Sequence, residues 1–133
     1  MADWDDVRRL ALALPETSEG TSYGSRSWKV RGRGFVWERP LRAGDLAELG
    51  DRAPDGPILG ARVEDLGAKE ALLRGAPEFC FTTSHFDGHP AVLVRLQEIA
   101  LDELHELIAE AWLARAPRRL AREYASAHLP ETG

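Results

Sequence analysis

Ser27-Trp28-Lys29-Val30-Arg31-Gly32-Arg33-Gly34-Phe35-Val36-Trp37-Glu38-Arg39 carries the strongest architectural signal in the chain. Ser27 to Arg31 and Phe35 to Arg39 are rich in β-branched and aromatic residues and flank Gly32-Arg33-Gly34. That spacing predicts two strands joined by a short glycine-containing turn. Alternate side chains of a strand point to opposite faces, so Trp28 and Val30 should share one face and Lys29 and Arg31 the other. A second pair follows the same logic. Phe79 to Thr83 and Ala91 to Leu96 flank Ser84-His85-Phe86-Asp87-Gly88-His89-Pro90, whose Asp-Gly pair predicts a hairpin turn. Hairpins make neighbouring strands antiparallel, whereas a parallel pair needs a long crossover.

Outward from these hairpins, Trp4, Val7, Leu10, Ala11 and Leu14 recur at helical spacing, with Asp3 placed to cap the helix and Pro15 to end it. Glu16 to Ser22 reads as loop, and so does Pro40 to Pro57, although Leu41, Leu46 and Leu49 support a helical turn or two there. Ile58 to Val63 reads as a strand, and Asp65 to Arg74 as a helix that Gly75 stops. Asp102 is placed to cap a helix striped by Leu104, Leu107, Ile108, Ala111 and Trp112, and Pro117 opens another in which Leu120 and Tyr124 meet. The order predicts one α+β domain over residues 1–133, with an antiparallel sheet of about five strands and helices packed on one face.

Composition agrees with that class. The 133 residues are 44% hydrophobic and 29% charged, which excludes a disordered or low-complexity chain. A chain of this size buries roughly 65–70% of its unfolded surface, enough for one core. The longest apolar runs, Leu10 to Leu14 and Ala91 to Val94, are far too short to span a bilayer, and the acidic start lacks the form of a secretory signal. With Cys80 as its single cysteine, the chain is expected in the cytoplasm, with no membrane partner. Charge is uneven. Residues 23–42 set Arg26, Lys29, Arg31, Arg33, Arg39 and Arg42 against Glu38, a local +5, within a protein of net −5. Such a segment permits local anion binding without a protein-wide attraction to nucleic acid.

Other chemistry is sparse. His85, Asp87 and His89 are metal-ligating types, but they straddle the expected turn and read as structural. Cys80 alternates with Phe79 and Phe81 and reads as a packed thiol. Gly32-Arg33-Gly34 lacks the third glycine and the helix of a phosphate loop. No paired acid and base stands at a recognisable spacing, so neither an enzyme, a metal nor a cofactor is expected.

The runs Ser22-Tyr23-Gly24, Trp28-Lys29-Val30-Arg31-Gly32, Phe81 to Leu96, Ala111-Trp112 and Ala116-Pro117-Arg118-Arg119-Leu120 are similar to the MmcQ/YjbR family of small bacterial proteins. The resemblance covers nearly the whole chain in order. It implies a frataxin-like (CyaY-like) fold and the label of DNA-binding protein. The sequence departs from the family pattern at Phe86 and His89, where members often carry Tyr, and in the length of its 40–57 stretch. Frataxins themselves carry a dense acidic ridge on the first helix; here that helix offers Asp3, Asp5 and Asp6 ahead of a basic strand, so iron delivery is not expected.

Two functional readings stand side by side. In the first, Lys29, Arg31 and Arg33 on the hairpin contact nucleic-acid phosphates, with Arg118, Arg119 and Arg122 as a second contact; DNA binding is then weak and salt-sensitive, with a log–log slope of roughly −2 to −3 on duplex. In the second, the protein is a small-ligand or protein-interaction module with a pocket beside the 84–90 loop, walled by Tyr23, Trp28, His85 and Phe86. Trp28 itself reads more readily as core, since it shares a face with Val30.

Overall fold

In the computed structural model, residues 2–128 are described; Met1 and residues 129–133, the ends of the expected 1–133 domain, lie outside them. Helix α1 (Trp4–Leu12) begins at a reciprocal cap: Asp3 accepts from the Asp6 amide and Asp6 accepts from the Asp3 amide, both at 3.0 Å. Strand β1 (Thr17–Ser22) follows, where the sequence reads as loop. Its polar run carries no alternating apolar signal because it is an edge strand, held through its backbone to β2 (Ser25–Val30). β3 is Arg33–Glu38.

The turns are tighter than expected. β2 and β3 are joined by Arg31-Gly32 alone, both at positive φ (47° and 80°), and β1 and β2 by Tyr23-Gly24 at 52° and 80°. Positive φ at both central residues is the hairpin geometry that matches strand twist. Arg31 bears a modest steric cost in that conformation, offset by its two hydrogen bonds to the Glu16 carboxylate at 2.7 and 3.0 Å.

Helix α2 (Ala43–Leu49) and a short 3-10 turn (Gly50–Arg52) occupy the 40–57 stretch. Then come β4 (Ile58–Arg62), α3 (Leu66–Gly75, capped by Asp65), β5 (Cys80–Phe81) and β6 (Ala91–Arg95). β5 and β6 pair antiparallel, but the Asp-Gly turn expected between them is not a tight hairpin: residues 82–90 form a longer connection containing a 3-10 turn at Ser84–Phe86. Helices α4 (Leu101–Arg115) and α5 (Arg118–His128) complete the order. Ala100, not Asp102, sits at the α4 N-cap; Asp102 lies in the first turn, where a carboxylate favours the helix dipole.

The six strands form one open antiparallel sheet in the order β1-β2-β3-β4-β6-β5, one strand more than the sequence reading. Trp28, Val30, Val36, Leu59, Ala61, Val92 and Val94 face a core completed by Val7 and Ala11 of α1 and Leu104, Leu107, Ile108, Ala111 and Trp112 of α4. Leu72 and Leu73 of α3 and Leu120 and Tyr124 of α5 pack on the same core, so four helices share one face as expected. α2 departs from that scheme. Its Leu49 joins Ile58, Phe81 and Leu93 on the opposite face, with Leu41 and Phe86 against them, so half of the second face is covered and half left open.

Candidate functional site

The open half of the second face takes its shape from a bulge. β2 and β3 pair Trp28 with Val36 and Lys29 with Gly34, so Phe35 is an extra residue and Phe35 and Val36 are both buried. Past the bulge, Trp37 points to the open face opposite Gly60 of β4. A Cβ on Gly60 would fall inside the Trp37 indole, so the ring lies directly on the β4 backbone. Interior strand glycines often mark such close approaches. Gly60→Val should lift the indole off the sheet and cost about 1–3 kcal/mol. The check is a urea titration with tryptophan emission; an unchanged midpoint and spectrum would contradict the contact.

Around this floor lies a cleft of about 620 Å³. Ser25, Ser27, Lys29 and Gly34 form one side; Pro40, Arg42, His85 and Phe86 form the other; Arg62 and Arg115 close one end, and Tyr23 stands at the rim, almost wholly exposed. The far wall is braced. Glu48 of α2 accepts from the Ser84 amide at 3.1 Å and its hydroxyl at 2.6 Å, and these bonds hold the Glu48 carboxyl below its ordinary range. From α3, Lys69 donates to the Phe86 carbonyl at 2.6 Å and the His89 carbonyl at 3.0 Å. Burial lowers the Lys69 pKa, while Asp87 nearby opposes the shift. Behind Phe86, Arg39 and Asp45 form a buried ion pair at 3.0 Å, with the guanidinium 5.3 Å from the Phe86 ring centroid.

The cleft is rich in uncompensated cations. Among the described residues, no carboxylate pairs with Lys29, Arg42, Arg62 or Arg115, whereas Arg39 has Asp45 and the cleft's Glu38 is engaged by Arg26. Arg62 lies over Trp37 with its guanidinium 5.7 Å from the ring centroid, and its buried Nε has no hydrogen-bond partner among the described residues. Arg115 donates from Nε to the Gly34 carbonyl at 3.2 Å.

The six basic residues singled out by sequence do not form one array. Lys29 lines the cleft, but Arg31 at the hairpin tip is bound to Glu16, and Arg33 stands opposite Val30, on the other side of its strand from Gly34. Arg118, Arg119 and Arg122 are exposed on α5, which packs on the helical layer, and Arg119 pairs with Glu123. Of the expected pocket walls, Tyr23, His85 and Phe86 come together in the cleft. Trp28 does not: it is fully buried on the opposite face, where it stacks on Trp4 at 6.2 Å and donates to Glu19 at 3.0 Å. Trp37 takes the position assigned to it. His85, Asp87 and His89 stay exposed in the 82–90 connection, and Cys80 is buried in the core, where burial pushes its thiol up to about 12. Trp37, Gly60 and Arg62 were not read as site residues. The signal was Gly60, a glycine inside an otherwise apolar strand.

Two mycobacterial proteins match nearly the whole chain. The uncharacterized proteins Rv2570 of Mycobacterium tuberculosis and Mb2600 of Mycobacterium bovis are each 48% identical over 127 residues, spanning 93% of this chain and 96% of theirs. Among solved structures, the Deinococcus radiodurans protein DR2400, a DUF419 domain, superposes with a TM-score of 0.63 at 21% identity, covering 85% of this chain and 78% of that one. The YjbR family model matches residues 12–114, from the end of α1 through the bulged sheet to the last turn of α4. That span holds every strand and nearly every residue of the cleft, and the chain is a member of the YjbR family.

Proposed function

We propose that the protein binds single-stranded nucleic acid on the open half of its sheet, without catalysing a reaction. The observation that carries the proposal is a sheet face on which Trp37, Phe86 and Tyr23 are interleaved with Lys29, Arg42, Arg62 and Arg115, and among the described residues no carboxylate forms an ion pair with any of these four cations. Single strands bind sheet faces in this way: aromatic rings stack on bases regardless of sequence, and cations follow the backbone. A duplex keeps its base faces stacked and offers the rings of such a sheet nothing to stack on. The hairpin mode of contact is disfavoured, because Arg31 already holds Glu16.

Anisotropy titrations of a labelled single strand and the matching duplex, at low and physiological salt, test the reading. The single strand should bind more tightly, with a log–log salt slope of about −2 if three phosphates are neutralised. Lys29→Glu with Arg42→Glu should weaken binding at least about tenfold and flatten that slope, since Arg42 is exposed, Lys29 is half-buried at the cleft wall, and neither forms an ion pair among the described residues. No binding at low salt, or equal binding by the double variant, would reject the proposal and put a small-ligand module in its place.

A further inference from the structure

The two edges of the sheet are built differently. At one end β5 is only two residues long, a very short edge of the kind that resists further pairing. At the other end β1 runs for six residues in unbroken register with β2 and, among the described residues, has no strand on its outer side. Long edges are ordinarily guarded by lysine, proline or a bulge. β1 has none of the three. Its one charge, Glu19, is turned to the helical face, where it accepts from the Trp28 indole at 3.0 Å and pairs with Arg8 at 3.2 Å. The backbone groups of the edge can be assigned. Along an antiparallel strand, successive residues direct their N–H and C=O alternately toward and away from the neighbour. The Arg31 amide donates to the Glu16 carbonyl, so Glu16, Ser18, Gly20 and Ser22 face β2, and Thr17, Glu19 and Thr21 present theirs outward.

We propose that β1 is the interface for a second copy of this chain, the two β1 strands pairing antiparallel about a two-fold axis and joining both sheets into one. Self-pairing covers both open edges at once, whereas an added foreign strand would only become the new edge. The backbone limits the register. Residues with outward groups must meet residues with outward groups, so odd-numbered positions oppose odd-numbered ones and both copies keep their helices on the same side. Centring the pair on Glu19 sets two carboxylates opposite each other, which is unfavourable. Centring it on Thr21 leaves only Gly20 to Ser22 paired. Centring it on Gly20 opposes Glu19 to Thr21 of the second copy and Ser18 to Ser22 of the second copy. On the open face the joint then holds only serines and glycine, and the Tyr23 turn, 99% exposed in the single chain, comes beside Thr17 of the second copy. Because Ser22 and Tyr23 also line the cleft, the clefts of the two copies open toward the same joint.

Cysteine cross-linking traps that register. Gly20→Cys places a thiol on the axis, where opposed Cα atoms of a non-hydrogen-bonded pair lie about 4.5 Å apart, within disulfide reach. A Cβ on Gly20 meets no atom within 4 Å, so the strand accepts the substitution, and the native Cys80 is buried away from the edge. Under mild oxidation Gly20→Cys should form a covalent dimer at least about tenfold faster than Ser18→Cys or Ser22→Cys alone, because pairing raises the local thiol concentration only there. Ser18→Cys and Ser22→Cys proteins, once mixed, should cross-link to each other. Thr21→Pro removes an outward amide and none that faces β2, so in the Gly20→Cys protein it should slow cross-linking about tenfold while leaving the thermal midpoint nearly unchanged. Sedimentation velocity of the unsubstituted protein should show a dimer fraction that rises with concentration. Equal cross-linking rates at the three cysteine positions, no covalent dimer from Gly20→Cys, or a purely monomeric protein up to about 1 mM would overturn the interface. None of these readouts involves nucleic acid, so the open-face reading stands or falls separately.

Discussion

Replacing Asp45 with alanine should remove about 3–5 kcal/mol of stability, the usual cost of stranding one member of a buried ion pair. Arg39 and Asp45 are 6% and 7% exposed, so the abandoned guanidinium would have little water to turn to. Asp45 also accepts from the Arg42 amide at 2.9 Å, the first turn of α2, so the substitution uncaps the helix that walls the cleft. Burial raises the Asp45 pKa, but the Arg42 amide and the Arg39 charge outweigh it, and the net position is below the ordinary 3.8. With the folded pKa depressed, the stabilisation is complete above the unfolded value and is lost as pH falls through the folded one. Urea titrations near neutral pH and in acid check both parts. Arg39→Met with Asp45→Leu should cost far less than Asp45→Ala, because apolar replacement of a whole buried pair is often neutral. A cost below about 1 kcal/mol for Asp45→Ala would show that the pair does not hold α2 to the sheet.

Trp112→Ala should cost a similar 3–5 kcal/mol for a different reason, the cavity left by a large buried ring. Trp112 has no exposed surface, donates from its indole to the Pro15 carbonyl at 3.1 Å and packs against the Tyr124 ring at 4.9 Å. One side chain thereby joins the end of α1, the body of α4 and the face of α5. Thermal unfolding should show a midpoint lowered by more than about 10 °C. Trp112→Phe should recover most of the loss, lacking chiefly the hydrogen bond. Equal losses in both variants would mean that the Pro15 bond, not packing, dominates.

Most of the helical layer was legible from periodicity: the stripes of α1 and α4 each bury a single face, and caps such as Asp3 and Asp65 mark where helices begin. β1 was not, because Thr17-Ser18-Glu19-Gly20-Thr21-Ser22 is held by backbone pairing that leaves no apolar pattern. The Arg31-Gly32 turn was shifted in the reading because arginine is an unusual residue at positive φ; its conformation is secured by Glu16, fifteen positions earlier. The cleft was legible only in part. Tyr23, Lys29, His85 and Phe86 were named, but Trp37 was not, because its face is set by the bulge at Phe35, which simple alternation along the strand does not show. Arg62 and Arg115 end a strand and a helix about fifty residues apart, and nothing local marks their meeting.

The strand order also sets a timetable. β1, β2 and β3 are joined by two-residue turns, and hairpins of this kind close in about 1–10 μs. The other half cannot form so early, because β6, the last of the described strands, lies between β4 and β5. Until Ala91–Arg95 arrives, β4 lacks a neighbour on one side and β5 has none, and Leu59, Ala61 and Cys80 have no continuous surface to pack on. Closing β4 against β6 means ordering the loop that contains α3 and β5 first, an entropic cost met before its contacts are made. During synthesis, the chain would then hold one finished hairpin ribbon and an open apolar flank until β6 leaves the ribosome, and a chaperone that shields apolar flanks would have its window there.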